Sequence, residues 1–367
     1  MFVLTAETQK ILGSVPSIID KTCPIPGRFR RTVPSNVAEL SRLLTAGRGD
    51  RSLSYLNRPN FLSAYLHYFL PWNLYRLCFL LPSLDLRLSP SDIIVDIGSG
   101  PLTFVLALWI SRPDLRSKPL EFHCIDRSAP ALEAGKEIFS GLCRIPGNAG
   151  NPWKIKLIKK EIDVRPGAAG ARSKQTVKTG YASLVCAINV YNEIYENLPH
   201  RYNEGLKRMA ANIAYFMKEY STPDGSILTV EPGVPQSGRF ISLLRSAFME
   251  LNHFPVSPCP HTAPCPMSGS NKRWCHFAFE APLVPKELKR ISSAAKLPKD
   301  RLVLSYLLTA GAKKPDEGGM ARVISDAFPL PGGSYGRYCC SAGGLVLLTG
   351  KKKRIEKINN GNPGAKR

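Results

Sequence analysis

From residue 92 onward, short runs rich in β-branched residues alternate with stretches whose apolar residues recur at helical spacing. This alternation is typical of βαβ units, in which parallel strands form a sheet covered by helices on both faces. We therefore predict an α/β fold. The predicted strands are 93–97, 121–125, 155–158, 183–188 and 227–230, and the predicted helices between them are 103–111, 129–139 and 203–220.

The sequence divides into four predicted parts. Residues 1–90 show helical spacing and predict an N-terminal helical module, and residues 91–255 hold the α/β pattern. Residues 256–350 are rich in Cys and Pro, with a helix near 285–296, a strand at 302–308 and a hairpin around 337–348, and 351–367 form a basic tail. Further predictions are a helix at 238–252 and surface loops at 146–152 and 165–180, which are rich in Gly, Pro or Lys.

Charge indicates the class of partner. The chain carries 50 Lys and Arg against 28 Asp and Glu, a formal net charge of +22. The tail accounts for only +6 of this, so an excess remains that attracts polyanions, and nucleic acid is the first candidate. No apolar run reaches the length of a membrane span and no export signal is legible, so we expect no membrane partner and a cytoplasmic location.

A candidate cofactor site follows the first predicted strand, where Asp96 precedes a turn containing Gly98 and Gly100. Glycines there let a ligand approach the backbone at the carboxyl end of the sheet. A dinucleotide fingerprint needs a third glycine where this chain has Thr103, so the turn favours S-adenosylmethionine over a pyrophosphate. Asp126, after the second strand, is placed to accept hydrogen bonds from the ribose hydroxyls, and Asp163, after the third, to receive the adenine amine.

Ten cysteines in a chain without a legible export signal favour buried thiols or a metal site over disulfides. Five of them lie in the last third, namely Cys259, Cys265, Cys275, Cys339 and Cys340. The close pairs usual for structural zinc are absent, and iron–sulfur clusters take four thiolates, often including one distant residue. The spacing therefore favours an iron–sulfur cluster, with zinc on three cysteines and His261 or His276 as the alternative.

Several segments together resemble the methyltransferase-like assembly factors of the mitochondrial ribosomal small subunit, and we assign the chain to their bacterial branch. The resemblance covers about residues 55–353, and it rests on VDIGSGP, NEI, VEPGVP, PCPHTAPCP, WCHF and a late Cys before a glycine. It implies a Rossmann-like S-adenosylmethionine-dependent methyltransferase domain and binding to small-subunit ribosomal RNA during assembly of the small subunit. It also implies a four-iron four-sulfur cluster on Cys259, Cys265, Cys275 and one of Cys339 or Cys340, of which we favour Cys339.

Methyl transfer itself has weaker support in the sequence. Where related enzymes carry an Asn or Asp-Pro-Pro-aromatic turn after the fourth strand, this chain offers Asn189, Tyr191, Asn192 and Glu193 as candidates. No cysteine follows that strand to act as a nucleophile. The prediction is an RNA methyltransferase, monomeric off the ribosome. The alternatives are an assembly factor that binds RNA without methylating it, and a redox or iron-sensing RNA binder.

Overall fold

The computed structural model describes residues 4–45, 55–145, 152–162, 164, 180–195, 203–268, 273–280, 284–297, 299–311 and 320–358. The predicted loop segments 146–151 and 165–179 lie outside the described residues, as does Asp163. The N-terminal part is helical, as predicted. Its helices are α1 (Ala6–Thr22), α2 (Val33–Thr45), α3 (Pro59–Ala64) and α4 (Leu70–Leu80), and a π-helical turn, Tyr65–Phe69, joins α3 to α4.

Among the described residues, the main sheet has eight strands in the order β3-β2-β1-β4-β5-β8-β6, with β7 also paired to β8. Strands β1 to β5 are parallel, whereas β8 runs antiparallel to β5, β6 and β7. Their bounds are β1 Ile93–Ile97, β2 Glu121–Asp126, β3 Lys154–Lys159, β4 Ala182–Ile188, β5 Ser221–Pro232, β6 Phe254–Ser257, β7 Phe277–Glu280 and β8 Arg301–Ala310. This topology is the class I methyltransferase-like α/β fold with additional N-terminal helices.

Helices cover both faces of the sheet because the central strands are apolar on both sides. In β1, Ile94 faces the layer of α5 (Thr103–Ser111) and α6 (Ala129–Cys143), while Val95 and Ile97 face α8 (Asn203–Tyr220) and α9 (Pro235–Glu250). Every residue of α5 is buried, because α1 and α4 pack over it as a third layer. The N-terminal module is thus an outer wall of the main core.

A second sheet, with four strands in the described part of the chain, follows the main one. It contains β9 (Arg322–Val323), β10 (Phe328–Pro329), β11 (Tyr335–Ser341) and β12 (Gly344–Gly350), with β11 paired to the other three. The helices not yet given are α7 (Asn192–Tyr195), α10 (Lys286–Ala294) and α11 (Lys352–Glu356).

The predicted strands and helices appear with end shifts of a few residues, such as a start of α9 at Pro235 rather than 238. The division into four parts stays a prediction. However, β8 comes from the predicted cysteine region and lies inside the main sheet. No helix in the described part of the chain is long and apolar enough to cross a membrane.

Candidate cofactor pocket and cysteine centre

The turn after β1 is fixed by backbone geometry. Gly98 and Gly100 have φ of +66° and +52°, in the left-handed region that L side chains rarely adopt. A Cβ on Gly98 would lie 2.5 Å from Cγ2 of Val190, whereas the space around Gly100 is open. The Ser99 N–H donates to the Ile125 carbonyl at 3.0 Å and so ties the turn to β2. The glycines are therefore required here by backbone conformation and, at Gly98, also by close packing.

Asp96 lies below this turn and is only 1% exposed. Its carboxylate accepts hydrogen bonds from the Ser99 hydroxyl and, at 3.3 Å, from the Cys186 thiol. Burial raises the pKa of Asp96 to about 7, although these two hydrogen bonds oppose the shift. Asp96 therefore stabilises the turn from its buried side, and it can affect a bound ligand only through Ser99.

Asp126 ends β2 at the same edge of the sheet, and it is half-buried. Its Oδ2 accepts the Gly100 N–H at 2.9 Å, and its Oδ1 accepts the Ser128 N–H at 2.8 Å. Burial raises the pKa of Asp126, and the two backbone hydrogen bonds counteract that rise. Because a carboxylate has about four lone-pair sites, the side chain retains acceptor capacity for a ligand.

Residues of the N-terminal module border this pocket, and no sequence motif predicted their role. The Tyr55 hydroxyl donates to Glu193 Oε1 at 2.8 Å, and the Ser128 hydroxyl donates to Asn57 Oδ1 at 2.9 Å. Burial raises the pKa of Tyr65, and Glu193 and Asp126 raise it further. The module therefore contacts the pocket rim as well as the core.

The segment after β4 holds the four predicted catalytic candidates, and they differ in exposure. Tyr191 is fully buried and Asn192 is 8% exposed, whereas Asn189 and Glu193 are half-buried. Asn189 has φ of +56°. The rim contact to Tyr55 and an ion pair of 3.8 Å with Arg127 place Glu193 at the pocket.

Glu231, near the end of β5, fixes this segment. It is fully buried, and its two carboxylate oxygens accept the N–H groups of Tyr191 at 2.9 Å and Asn192 at 3.0 Å. When the oxygen and nitrogen of its side-chain amide are exchanged, Asn192 also donates to Glu231 Oε2 at 3.1 Å and to the Asn189 carbonyl at 3.0 Å. Burial raises the pKa of Glu231 to about 8. The motif VEPGVP contains Glu231, but the sequence predicted no role for this residue.

The cysteine loop, which we define as residues 258–276, joins β6 to β7. These two strands lie end to end along β8. Its cysteines are held by polar contacts from several elements. The Ser242 hydroxyl lies 3.7 Å from Cys265 Sγ, and the Arg322 guanidinium donates to Cys275 Sγ at 3.2 Å. The Ser305 hydroxyl donates to the Cys275 carbonyl at 2.8 Å.

Cys340, not Cys339, lies beside the other three cysteines. Its Sγ is 3.3 Å from His261 Nε2, and Cys259, Cys265 and Cys275 all raise its pKa, although burial is the larger cause of the shift to about 12. Adjacent residues of a strand point to opposite faces, so Cys339 is directed away. Cys340 is therefore the residue of β11 that faces the loop, a point that the sequence did not reveal, and the fourth metal ligand, Cys339 or Cys340, stays a prediction.

Two buried arginines surround this cysteine centre, which we define as Cys259, Cys265, Cys275 and Cys340. Arg245 is 2% exposed and donates to the carbonyls of His261 and Ala263 at 2.7 and 2.9 Å. Arg322 is 4% exposed and is the cation on Cys275. Within the described residues, no three His, Cys, Asp or Glu side chains are grouped closely enough for a single metal ion.

Trp274 is a packing residue. Its indole N–H donates to the Gly233 carbonyl at 3.0 Å, and a Cβ on Gly238 would lie 2.8 Å from the Trp274 side chain. The Trp274 ring is therefore packed at the end of β5, whereas the neighbouring Arg273 is exposed.

The strand order and the glycine turn define a methyltransferase-like α/β protein. A family model described as mitochondrial small ribosomal subunit Rsm22 matches residues 87–353. Since this match covers well over half of the chain, the protein belongs to the Rsm22 family. Membership in its bacterial branch stays a prediction. No curated protein sequence matches the chain significantly.

Solved structures give weaker similarities. A protein from Listeria monocytogenes assigned to the class I S-adenosylmethionine-dependent methyltransferases is 11% identical, with a TM-score of 0.37, over 84% of this chain and 90% of its own. A methyltransferase from Pyrococcus furiosus is 10% identical, with a TM-score of 0.33, over 65% and 83%. A 16S rRNA (adenine(1408)-N(1))-methyltransferase variant from Catenulisporales acidiphilia is 13% identical, with a TM-score of 0.32, over 62% and 89%. At such low values we base the fold on the strand order instead.

Proposed function

We propose that this protein is an S-adenosylmethionine-binding, methyltransferase-like factor that acts on small-subunit ribosomal RNA during assembly of the small ribosomal subunit. The observation that carries the proposal is the glycine turn whose Gly100 N–H is bound by Asp126 at the carboxyl edge of the sheet. Membership in the Rsm22 family and the net charge of +22 support the ribosomal part.

The pocket residues fit the cofactor. Open space at Gly100 admits a ligand close to the backbone, and Asp126 has acceptor capacity left for two ribose hydroxyls. We propose Asp163 as the acceptor for the adenine amine. Asp96 acts indirectly by holding Ser99 and the turn. When bound, S-adenosylmethionine supplies an electrophilic methyl group.

A second candidate function, RNA binding without methyl transfer, is favoured by one specific observation. Glu231 binds the backbone of Tyr191 and Asn192, and both side chains are buried. Neither side chain is therefore presented to an incoming base in this structure. Asn189 and Glu193 are the candidates that stay accessible to a substrate.

We also propose that the cysteine centre holds a four-iron four-sulfur cluster. Cys340 of β11 lies 3.3 Å from His261 of the loop, and the loop cysteines Cys259, Cys265 and Cys275 add to the rise that burial causes in its pKa. Buried Arg245 and Arg322 would offset the negative charge of a thiolate-bound cluster. A single zinc ion with Zn–S bonds of ~2.3 Å needs ligands packed within about 4 Å of one another. Zinc on three cysteines and His261 is the alternative, and the contact of His261 with Cys340 supports it. Either group would cross-link the loop to the second sheet.

The compartment belongs to the proposal as well. The sequence predicts the cytoplasm, the family description names mitochondria, and the ribosomal partner is common to both. We propose a monomer off the ribosome.

Crosslinking of the protein to RNA in cells, followed by sequencing, tests the partner. We expect crosslinks concentrated in small-subunit ribosomal RNA, whereas crosslinks distributed in proportion to RNA abundance would contradict the proposal. A map of modified nucleotides in a strain lacking the protein separates the two functions. Loss of one methyl group indicates methyl transfer, and an unchanged map indicates binding alone.

A further inference from the structure

Tyr65 of the N-terminal module lies at the cofactor pocket. It begins the π-helical turn that precedes α4, and such turns within helices are frequent at functional sites. The side chains of Asn73 and Thr103 lie within hydrogen-bonding range of its hydroxyl, and Thr103 begins α5 after the glycine turn. Burial raises the pKa of Tyr65, and the charges of Glu193 and Asp126 raise it further. The Tyr65 hydroxyl is therefore near both the start of α5 and the acidic residues of the pocket.

Asn73 connects this hydroxyl to Arg76, and we define Tyr65, Asn73 and Arg76 as the Tyr65 network. Asn73 is 7% exposed, and its Oδ1 accepts an Arg76 Nη1–H at 2.9 Å. A guanidinium only donates, so this bond fixes the orientation of the amide. Long side chains of a helix point back toward its N-terminal end, which directs Arg76 of α4 toward Asn73 and the π-helical turn. The network thus brings a positive charge toward the pocket.

The charge of Arg76 lacks a counterion in the described part of the chain. Arg76 is half-buried, and its Nε is buried without a hydrogen-bond partner there. Burial lowers the pKa of Arg76, and no carboxylate among the described residues opposes that shift. By contrast, Arg127 at the same pocket forms an ion pair of 3.8 Å with Glu193. Burying an unpaired charge costs free energy, so Arg76 is suited to a bound anion.

A second cation lies beside Arg76. Lys299 precedes β8, which begins at the edge of the sheet where β5 ends, so it lies at the same edge as the pocket. Its Nζ is 4.7 Å from the centre of the Tyr68 ring and 5.1 Å from that of Trp72. Burial lowers the pKa of Lys299, and the charge of Arg76 lowers it further. Two neighbouring cations make the local potential positive and attract an anion more strongly than one.

We propose that the Tyr65 network binds the carboxylate at the amino-acid end of S-adenosylmethionine. With the ribose on Asp126 of β2, this end extends over β1 toward the start of α5, where Tyr65 lies. Arg76 supplies the charge, and the Tyr65 hydroxyl supplies a hydrogen bond. An RNA phosphate fits less well, because Asn73 and the Arg76 Nε are buried. This inference rests on the proposed function and names the residues for the other half of its cofactor site.

The test uses the full-length protein and two probes. S-adenosylhomocysteine has the amino-acid carboxylate, and 5′-methylthioadenosine lacks it. We expect Arg76→Met to weaken binding of S-adenosylhomocysteine at least about tenfold by calorimetry and to leave binding of methylthioadenosine within about twofold. Tyr65→Phe should show the same selectivity with a loss of about threefold.

Two controls separate this end of the cofactor site from the other. Asp126→Ala should weaken binding of both probes, since both contain the ribose. Arg87→Met is the matched control for Arg76→Met, because the Arg87 side chain is 83% exposed, and it should change neither affinity.

Tyr65→Phe retains the ring and keeps the test valid if Arg76→Met fails to fold. Equal losses for the two probes in Tyr65→Phe and Arg76→Met would overturn the proposal, because the network would then only support the fold. So would an unchanged affinity for S-adenosylhomocysteine together with weaker binding of small-subunit ribosomal RNA in Arg76→Met, since the anion would then be an RNA phosphate. Failure of the natural protein to bind either probe would instead contradict the proposed function itself.

Discussion

The cofactor pocket and the cysteine centre are built by different means. The pocket turn is held by hydrogen bonds from Gly100 and Ser99 to β2 and rests on strands buried on both faces. The cysteine loop has no regular structure between β6 and residue 268, and side-chain contacts from β8, β9 and α9 hold it. The pocket is therefore formed by packing and by hydrogen bonds within the sheet, whereas we expect the loop to need a cross-link.

The two regions nonetheless share a boundary. Glu231 holds the segment after β4, and it pairs in register with Ser305, whose hydroxyl binds the Cys275 carbonyl. The pairing of Glu231 with Ser305, and the hydrogen bond from Ser305 to Cys275, therefore connect the two regions. The effect of a substitution in one region can be compared with that of a substitution in the other across this connection.

The largest expected effect separates two adjacent cysteines. Cys340→Ser should lose the bound metal completely, together with the brown colour of anaerobically purified protein, whereas Cys339→Ser should retain both. The reason is that only Cys340 faces the other three thiols. Elemental analysis of iron and zinc measures the loss, and stoichiometric zinc without iron would favour the zinc alternative. Metal retained in Cys340→Ser and lost in Cys339→Ser would reverse the assignment.

The pocket should respond independently of the metal. Asp126→Ala should bind S-adenosylmethionine at least tenfold more weakly by calorimetry, because hydrogen bonds to a charged group contribute about 1.5–3 kcal/mol. The metal content should not change. Asp224→Ala, at an exposed position near the start of β5, is the matched control. Unchanged cofactor affinity in Asp126→Ala would refute the pocket assignment.

A smaller effect is expected where the N-terminal module meets the pocket. Tyr55→Phe removes the hydrogen bond to Glu193 while retaining the ring. We expect a loss of about 1–2 kcal/mol in the free energy of unfolding, with metal content intact. Denaturant titration provides the measurement, and an unaltered unfolding midpoint would mean that the contact adds nothing to stability.

The last expected effect concerns pH. Because the pKa of Glu231 is about 8 in the folded state, above its ordinary value of 4.5, the folded protein binds more protons than the unfolded chain between these values. This group therefore makes stability fall as pH rises from about 4.5 to about 8. Glu231→Gln should flatten that dependence, whereas Glu250→Gln, at an exposed residue of α9, should not. Thermal unfolding across this pH range would show whether the slope persists in Glu231→Gln.

Secondary structure was largely predictable because it follows periodicity along the chain. β1 and α5 begin and end at the predicted residues, since strand 93–97 is apolar except for Asp96 and Thr103 follows the turn directly. The glycine turn and Asp126 were predictable for the same reason, as both follow a strand end. The roles of Tyr55 and Asn57 were not, because no local pattern marks residues that act across 138 and 71 positions.

The sequence by itself determined the alternation of strands and helices, the turn at Gly98 and Gly100, the basic charge and the family motifs. Each of these is a property of neighbouring residues or of composition. Only the tertiary structure decided that Cys340 contacts His261 of the cysteine loop and that Glu231 binds the segment after β4. Both outcomes depend on which faces of distant strands meet, and strand pairing across the chain sets that geometry.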